Sequence, residues 1–103
     1  MSNYEIAIIY TTVSSLDEGK KLAKKAVGLQ LAKCVNIIPG ALSIYEWQGK
    51  VEEADEYVLI FKTSLKNLHQ FEQWLSSNHP YEVPAILKVN CQASERFYQY
   101  LSS

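Results

Sequence analysis

A chain of 103 residues, 48% hydrophobic and 20% charged, has the composition of one globular domain of the soluble class. Its formal net charge of −1 and its single arginine, Arg96, deny it the basic surplus that binding a nucleic-acid backbone demands. No apolar run approaches the roughly 20 residues of a membrane span, and the N-terminus lacks the charged-then-apolar pattern of a signal peptide. Cys34 and Cys91 are too few for a disulfide scaffold and form no CxxC pair, so a reducing cytoplasm is the expected setting.

Tyr4 to Thr11 is a short β-rich run, apolar on both faces at its centre. Ser15 to Glu18 fits the S-x-x-E pattern that satisfies free amides at a helix start, and Asp17 and Glu18 suit the positive end of a helix dipole. Leu22, Ala23, Ala26 and Val27 then recur at helical spacing and are expected to face inward. Lys20, Lys21, Lys24 and Lys25 form the opposite face, which reads as solvated. From Cys34 to Lys50 runs a long strand with an interruption at Pro39-Gly40, after which Ser43, Tyr45 and Trp47 share one side by period-two alternation. Gly49 supplies the positive φ of a tight turn, and the chain returns from Val51 to Thr63, apolar on both faces over Tyr57 to Phe61.

Ser64 caps a second helix that carries Leu65, Leu68, Phe71 and Leu75 inward and stops at Asn78. After His79-Pro80-Tyr81, the segment from Pro84 to Cys91 reads as a further apolar strand. Ser94 to Leu101 reads as a terminal helix with Phe97, Tyr98 and Leu101 at helical spacing. The order β-α-β-β-α-β plus a terminal helix is the ferredoxin-like pattern: an α+β sandwich, here with a long hairpin between its second and third strands and a short C-terminal helix. Two helices cover one face of such a sheet. Strands apolar on both faces, and a hairpin whose outer half has no apolar partner in its own chain, predict that further copies of the chain cover the rest.

Chemistry-bearing residues are sparse. Cys34 is a potential thiolate ligand, although a free cysteine opening a strand is ordinarily a small buried hydrophobe, as Cys91 is expected to be. His79, beside a turn-forming proline, can either point a neutral imidazole into a cleft as a ligand or fix its loop by hydrogen bonds. His69 falls on the polar flank of the second helix. Glu52, Glu53, Asp55 and Glu56 are acidic enough to attract a hard cation, but on an extended strand they alternate sides and do not converge. No Ser/His/Asp spacing, phosphate-cradling glycine loop or HExxH stretch is present, which speaks against an enzyme. The anion-binding arginine loop of an acylphosphatase, the basic-aromatic strand of an RNA-recognition domain and the CxxC of a ferredoxin-like copper chaperone are all missing.

Three ordered blocks nevertheless resemble a known family. Cys34, Val35, Asn36, Ile37, Pro39, Gly40, Ser43, Tyr45, Trp47, Gly49 and Lys50 form the first block. Glu56, Lys62 and Thr63 form the second, and His79-Pro80-Tyr81-Glu82-Val83-Pro84 the third. Together they are similar to the CutA family, the divalent-cation tolerance proteins. The resemblance implies a homotrimer whose long hairpins exchange strand contacts, a role in binding or responding to divalent metal, Cu(II) first, and no organic cofactor. On this reading His79, Cys34 and Glu56 are the metal-site candidates. The chain departs from the pattern where some members place a cysteine, at Thr11, and a second histidine, at Asn78. A C-terminal pattern of glycine, tyrosine, leucine and tryptophan becomes Ala93, Phe97, Tyr98 and Tyr100. Losing a thiolate and an imidazole weakens a copper site.

A second expectation is a signalling module like the PII-type trimers, which bind small effectors between subunits. Tyr45, Trp47, Lys50, Lys62 and Tyr81 would then form either the trimer interface or the cleft for an anionic metabolite. A third is a structural role toward a protein partner not yet identified.

Overall fold

A computed structural model describes residues 3–103. The elements are β1 (Glu5–Val13), α1 (Leu16–Gly28), β2 (Cys34–Trp47), β3 (Lys50–Ser64), α2 (Leu65–Asn78), β4 (Leu87–Gln92) and α3 (Glu95–Ser102). The strands form one antiparallel sheet in the order β2-β3-β1-β4. This is the ferredoxin-like arrangement with the long β2-β3 hairpin and terminal helix that the sequence predicts.

Local signals in the sequence explain most boundaries. The Glu18 amide donates to Ser15 Oγ at 3.1 Å, the Asn67 amide to Ser64 Oγ at 3.3 Å and the Phe97 amide to Ser94 Oγ at 3.3 Å, so a serine starts each helix. Asn78 Nδ2 donates to the Trp74 carbonyl at 2.8 Å and closes the last turn of α2. At the hairpin tip Trp47 faces Lys50 across two residues, Gln48 at φ 51° and Gly49 at φ 81°. Positive φ at both central positions is the turn whose twist matches two antiparallel strands.

The helix-side face of the sheet carries the core. Ile9 and Val13 of β1, Leu59 and Phe61 of β3, and Phe71 and Leu75 of α2 are fully buried, and Leu22 and Ala26 of α1 close over them. The Phe61 and Phe71 rings meet edge to face with centroids 4.8 Å apart. Two residues expected to face inward do not. Val27 and Leu65 are each about two-fifths exposed, one in the last turn of α1 and the other the first residue of α2.

The opposite face is lined by Ile8 and Tyr10 on β1, Val58 and Ile60 on β3, Ile38 on β2, and Leu87 and Val89 on β4, by the register of the pairings. Leu87 and Val89 are more than half exposed.

Pro39-Gly40 does not interrupt β2. The register steps from Ile38 opposite Val58 to Ala41 opposite Glu56, so β2 advances three residues while β3 advances two. Gly40 takes φ 85° in this bulge. The extra residue exchanges the two sides of the strand. Cys34, Asn36 and Ile38 lie on the open face before it, and Ala41, Ser43, Tyr45 and Trp47 lie there after it. The fourth strand is also shorter than the sequence suggests, starting at Leu87 rather than Pro84. Pro84 has no amide to give to a ladder, and the segment before β4 is instead drawn across the end of β1.

Candidate functional site

That segment is held by His79. As the last α2 turn ends, His79 takes extended backbone angles and turns its ring into the protein, 8% exposed. Its Nε2 lies 3.0 Å from both the Thr12 carbonyl and Thr11 Oγ1, and its Nδ1 accepts the Tyr81 amide at 3.1 Å. An acceptor at Nδ1 places the proton of the neutral ring on Nε2, where it is donated to the Thr12 carbonyl. Burial pushes the His79 pKa below its ordinary value of 6.5, although the Thr12 carbonyl and the carboxylates of Glu18 and Glu56 pull the other way. Both ring nitrogens are thus occupied in pinning the loop after α2 to the end of β1.

Tyr81 carries the connection onward. Its ring lies 4.9 Å from that of His79, and its hydroxyl donates to Glu56 Oε2. Burial, and then the bond to the Glu56 carboxylate, raise its phenol above the usual range. Glu56 projects from β3 on the open face and is only 8% exposed.

Beside this chain of contacts opens a cleft of about 700 Å³. One wall is the open face of the hairpin, with Ser43, Tyr45, Trp47, Ala54 and Glu56. The floor is Tyr10, Thr12 and Ser14 at the end of β1, and the other wall is the loop through Pro80, Tyr81, Glu82, Val83 and Ala85. The bulge makes this wall possible, since it brings Tyr45 and Trp47 onto the face that Glu56 occupies.

The structure separates several residues grouped from the sequence. Cys34 lies opposite Lys62, six positions along β3 from Glu56 and therefore roughly 20 Å from it. His79 and Glu56 are linked through Tyr81, but Cys34 stands at the other end of the sheet. Among the described residues no three His, Cys, Asp or Glu side chains form a group that could hold a metal ion. Thr11 is a hydrogen-bond neighbour of His79. Tyr45, Trp47 and Tyr81 do share the cleft, whereas Lys50 and Lys62 are not among its walls. Twelve positions apart on β3, they are separated by roughly 40 Å within one chain, so the two lysines of a single chain do not share one small anion. Lys62 bonds Asn36 instead. Tyr10 and Thr12 line the cleft without any signal in the sequence beyond their alternation with Ile8.

Residues 7–103 match the family described as "CutA1 divalent ion tolerance protein". The chain belongs to that family. It is 38% identical over 97 residues to the chloroplastic protein CutA of Arabidopsis thaliana, covering 93% of this chain and 53% of the relative. It is 37% identical over 91 residues to the divalent-cation tolerance protein CutA of Thermus thermophilus, covering 88% of each. The solved structure of CutA from Synechococcus elongatus superposes with a TM-score of 0.91 at 36% identity, over 99% of this chain and 91% of that one. The chain spans about half the length of its plant relatives. The hairpin, the bulge, the His79 pin and the cleft all lie within this CutA region.

Proposed function

We propose that this CutA chain works as a non-enzymatic homotrimer that binds or responds to divalent metal ions, copper first, in the cytoplasm. Assembly is carried by one observation: a sheet face lined by Ile8, Ile38, Val58, Ile60, Leu87 and Val89 that its own helices leave uncovered. Burying apolar surface of this kind favours association. The hairpin adds to it, since Leu42, Ile44 and Val51 near the tip are well over half exposed on the side away from the cleft.

For metal, the support is the family's own name together with the donors at hand. Cys34 is a partly exposed free thiol and suits a soft ion. His79 can ligate only by giving up one of its present bonds, most simply the Tyr81 amide at Nδ1. With Cys34 and Glu56 so far apart, a copper seat on this reading is completed by water or by a neighbouring subunit, and its affinity is modest and falls as the imidazole protonates.

Calorimetry with Cu(II) tests the metal and light scattering tests the trimer. His79→Ala should remove most of the copper binding while His69→Ala, on an exposed helix face, should not. Equal binding in both variants would make the copper adventitious. A monomer mass at micromolar concentration would remove the trimer.

A further inference from the structure

The cleft between the hairpin and the Pro80–Ala85 loop has a chemistry that a metal site does not need. Four aromatic rings, those of Tyr10, Tyr45, Trp47 and Tyr81, are among its walls, and the one strongly buried ionisable group in it is Glu56. Glu82, exposed, adds a second carboxylate, and no lysine, arginine or histidine lines the space. Nor is Glu56 neutralised from elsewhere. Among the described residues the one ion pair joins Lys88 to Glu72, and the side-chain partner of Glu56 is the uncharged hydroxyl of Tyr81. A volume of about 700 Å³ lies within the range of small-molecule sites.

We propose that this cleft is a receptor for a small organic ammonium ion. Aromatic faces attract a weakly hydrated cation through their quadrupoles, and a desolvated carboxylate adds direct Coulomb attraction in a place where water screens it poorly. A hard metal ion would ask for six or more oxygen ligands and a soft one for thiolate or imidazole. The cleft offers neither, because Cys34 is at the far end of the sheet and both nitrogens of His79 are engaged. An anionic metabolite would meet two carboxylates as the charged groups of the walls, the nearest lysine along the hairpin, Lys50 opposite Trp47, being outside them. The inference stands on the geometry of one chain and is independent of copper. It touches the trimer reading only in that a neighbouring copy would roof the open side.

The test is calorimetry in metal-free buffer with choline and with 3,3-dimethylbutan-1-ol, its uncharged isostere, which needs no variant and so no assumption about folding. Choline should bind at one site per chain, and the alcohol should bind about tenfold or more weakly. Glu56→Gln keeps an acceptor for the Tyr81 hydroxyl and should lower choline affinity by about tenfold while leaving that of the alcohol unchanged. Trp47→Leu should weaken choline more than the alcohol. Equal affinity for the two compounds, no binding of choline, or an unaltered choline affinity in Glu56→Gln would each overturn the assignment. Light scattering on the same samples keeps the two readings apart. A monomer that binds choline removes the trimer alone, and a trimer that does not bind it removes the cleft receptor alone.

Discussion

The two faces of the sheet are built from the same kinds of residue and have different fates. On the helix side Ile9, Leu59 and Phe61 are sealed by Phe71 and Leu75, while on the open side Ile8, Ile60 and Val89 have no layer of their own chain above them. A strand apolar on both sides states how much covering it needs and leaves unsaid which molecule supplies it. Amphipathic helices answer that question for one face only.

The largest effect should come from the sealed side. Phe71→Ala removes a fully buried ring packed on Phe61 and should cost about 3–5 kcal/mol, read as a drop in the urea midpoint at unchanged slope. Val89→Ala provides the contrast. In an isolated chain this half-exposed residue should matter by less than about 0.5 kcal/mol. In a trimer that covers it, the loss should grow with protein concentration. A concentration-independent, near-zero effect of Val89→Ala would show that the open face stays open.

Trp47 comes next. Placed near the tip of the hairpin, it should lie against a neighbour as well as line the cleft. Truncation of such an aromatic typically costs about 2 kcal/mol or more of association energy. Trp47→Ala should therefore shift the mass from three times 11.7 kDa toward one. An unchanged mass and melting profile would reduce Trp47 to a wall of the cleft. Gly49→Ala, at φ 81° in the tip turn, should cost about 1 kcal/mol without changing the mass, because it strains the turn while its added methyl meets nothing of its own chain within 4 Å.

The smallest effect is a dependence on pH. His79 is held below its ordinary pKa of 6.5 by burial, so the unfolded chain takes up the proton first as pH falls. Its contribution to stability is complete above about 6.5 and is lost on descending from there through the lower folded value. Urea midpoints compared at about pH 7.5 and about pH 5.5, with chelator present, should fall in the native sequence and change less in His79→Gln. A parallel fall in both would move the titration to the carboxylates.

Much of this was legible in the sequence. Ser15, Ser64 and Ser94 announce the helices through hydrogen bonds made within three residues, and the unbroken apolar run from Tyr57 to Phe61 announces a strand apolar on both faces. Those signals are local, so a linear reading captures them. The cleft was half legible. Tyr45 and Trp47 share a side by alternation alone, but the company of Tyr10 and Thr12 depends on β1 lying beside β3, which brings together residues more than thirty positions apart in sequence. The choice His79 faced, ligand or loop fastener, could not be made from residue types, because its decisive partners are a backbone carbonyl at Thr12 and a backbone amide at Tyr81. Every residue but proline owns such an amide. Lys62 looked like a neighbour of Trp47 only while the length of the strand between it and Lys50, which does stand opposite Trp47, was left out.

The bulge at Pro39-Gly40 has a consequence for how such a chain can change. A point substitution in the outer hairpin alters one side chain, whereas removing a single residue at the bulge would turn the entire outer half over. Leu42, Ile44 and Glu46 would then look into the cleft, and Ser43, Tyr45 and Trp47 would look out from the far side. Chain length at this spot is therefore inherited as a switch, separate from composition. Two relatives identical at every outer hairpin position and differing by one residue between Ile38 and Ala41 would present opposite surfaces to ligand and neighbour.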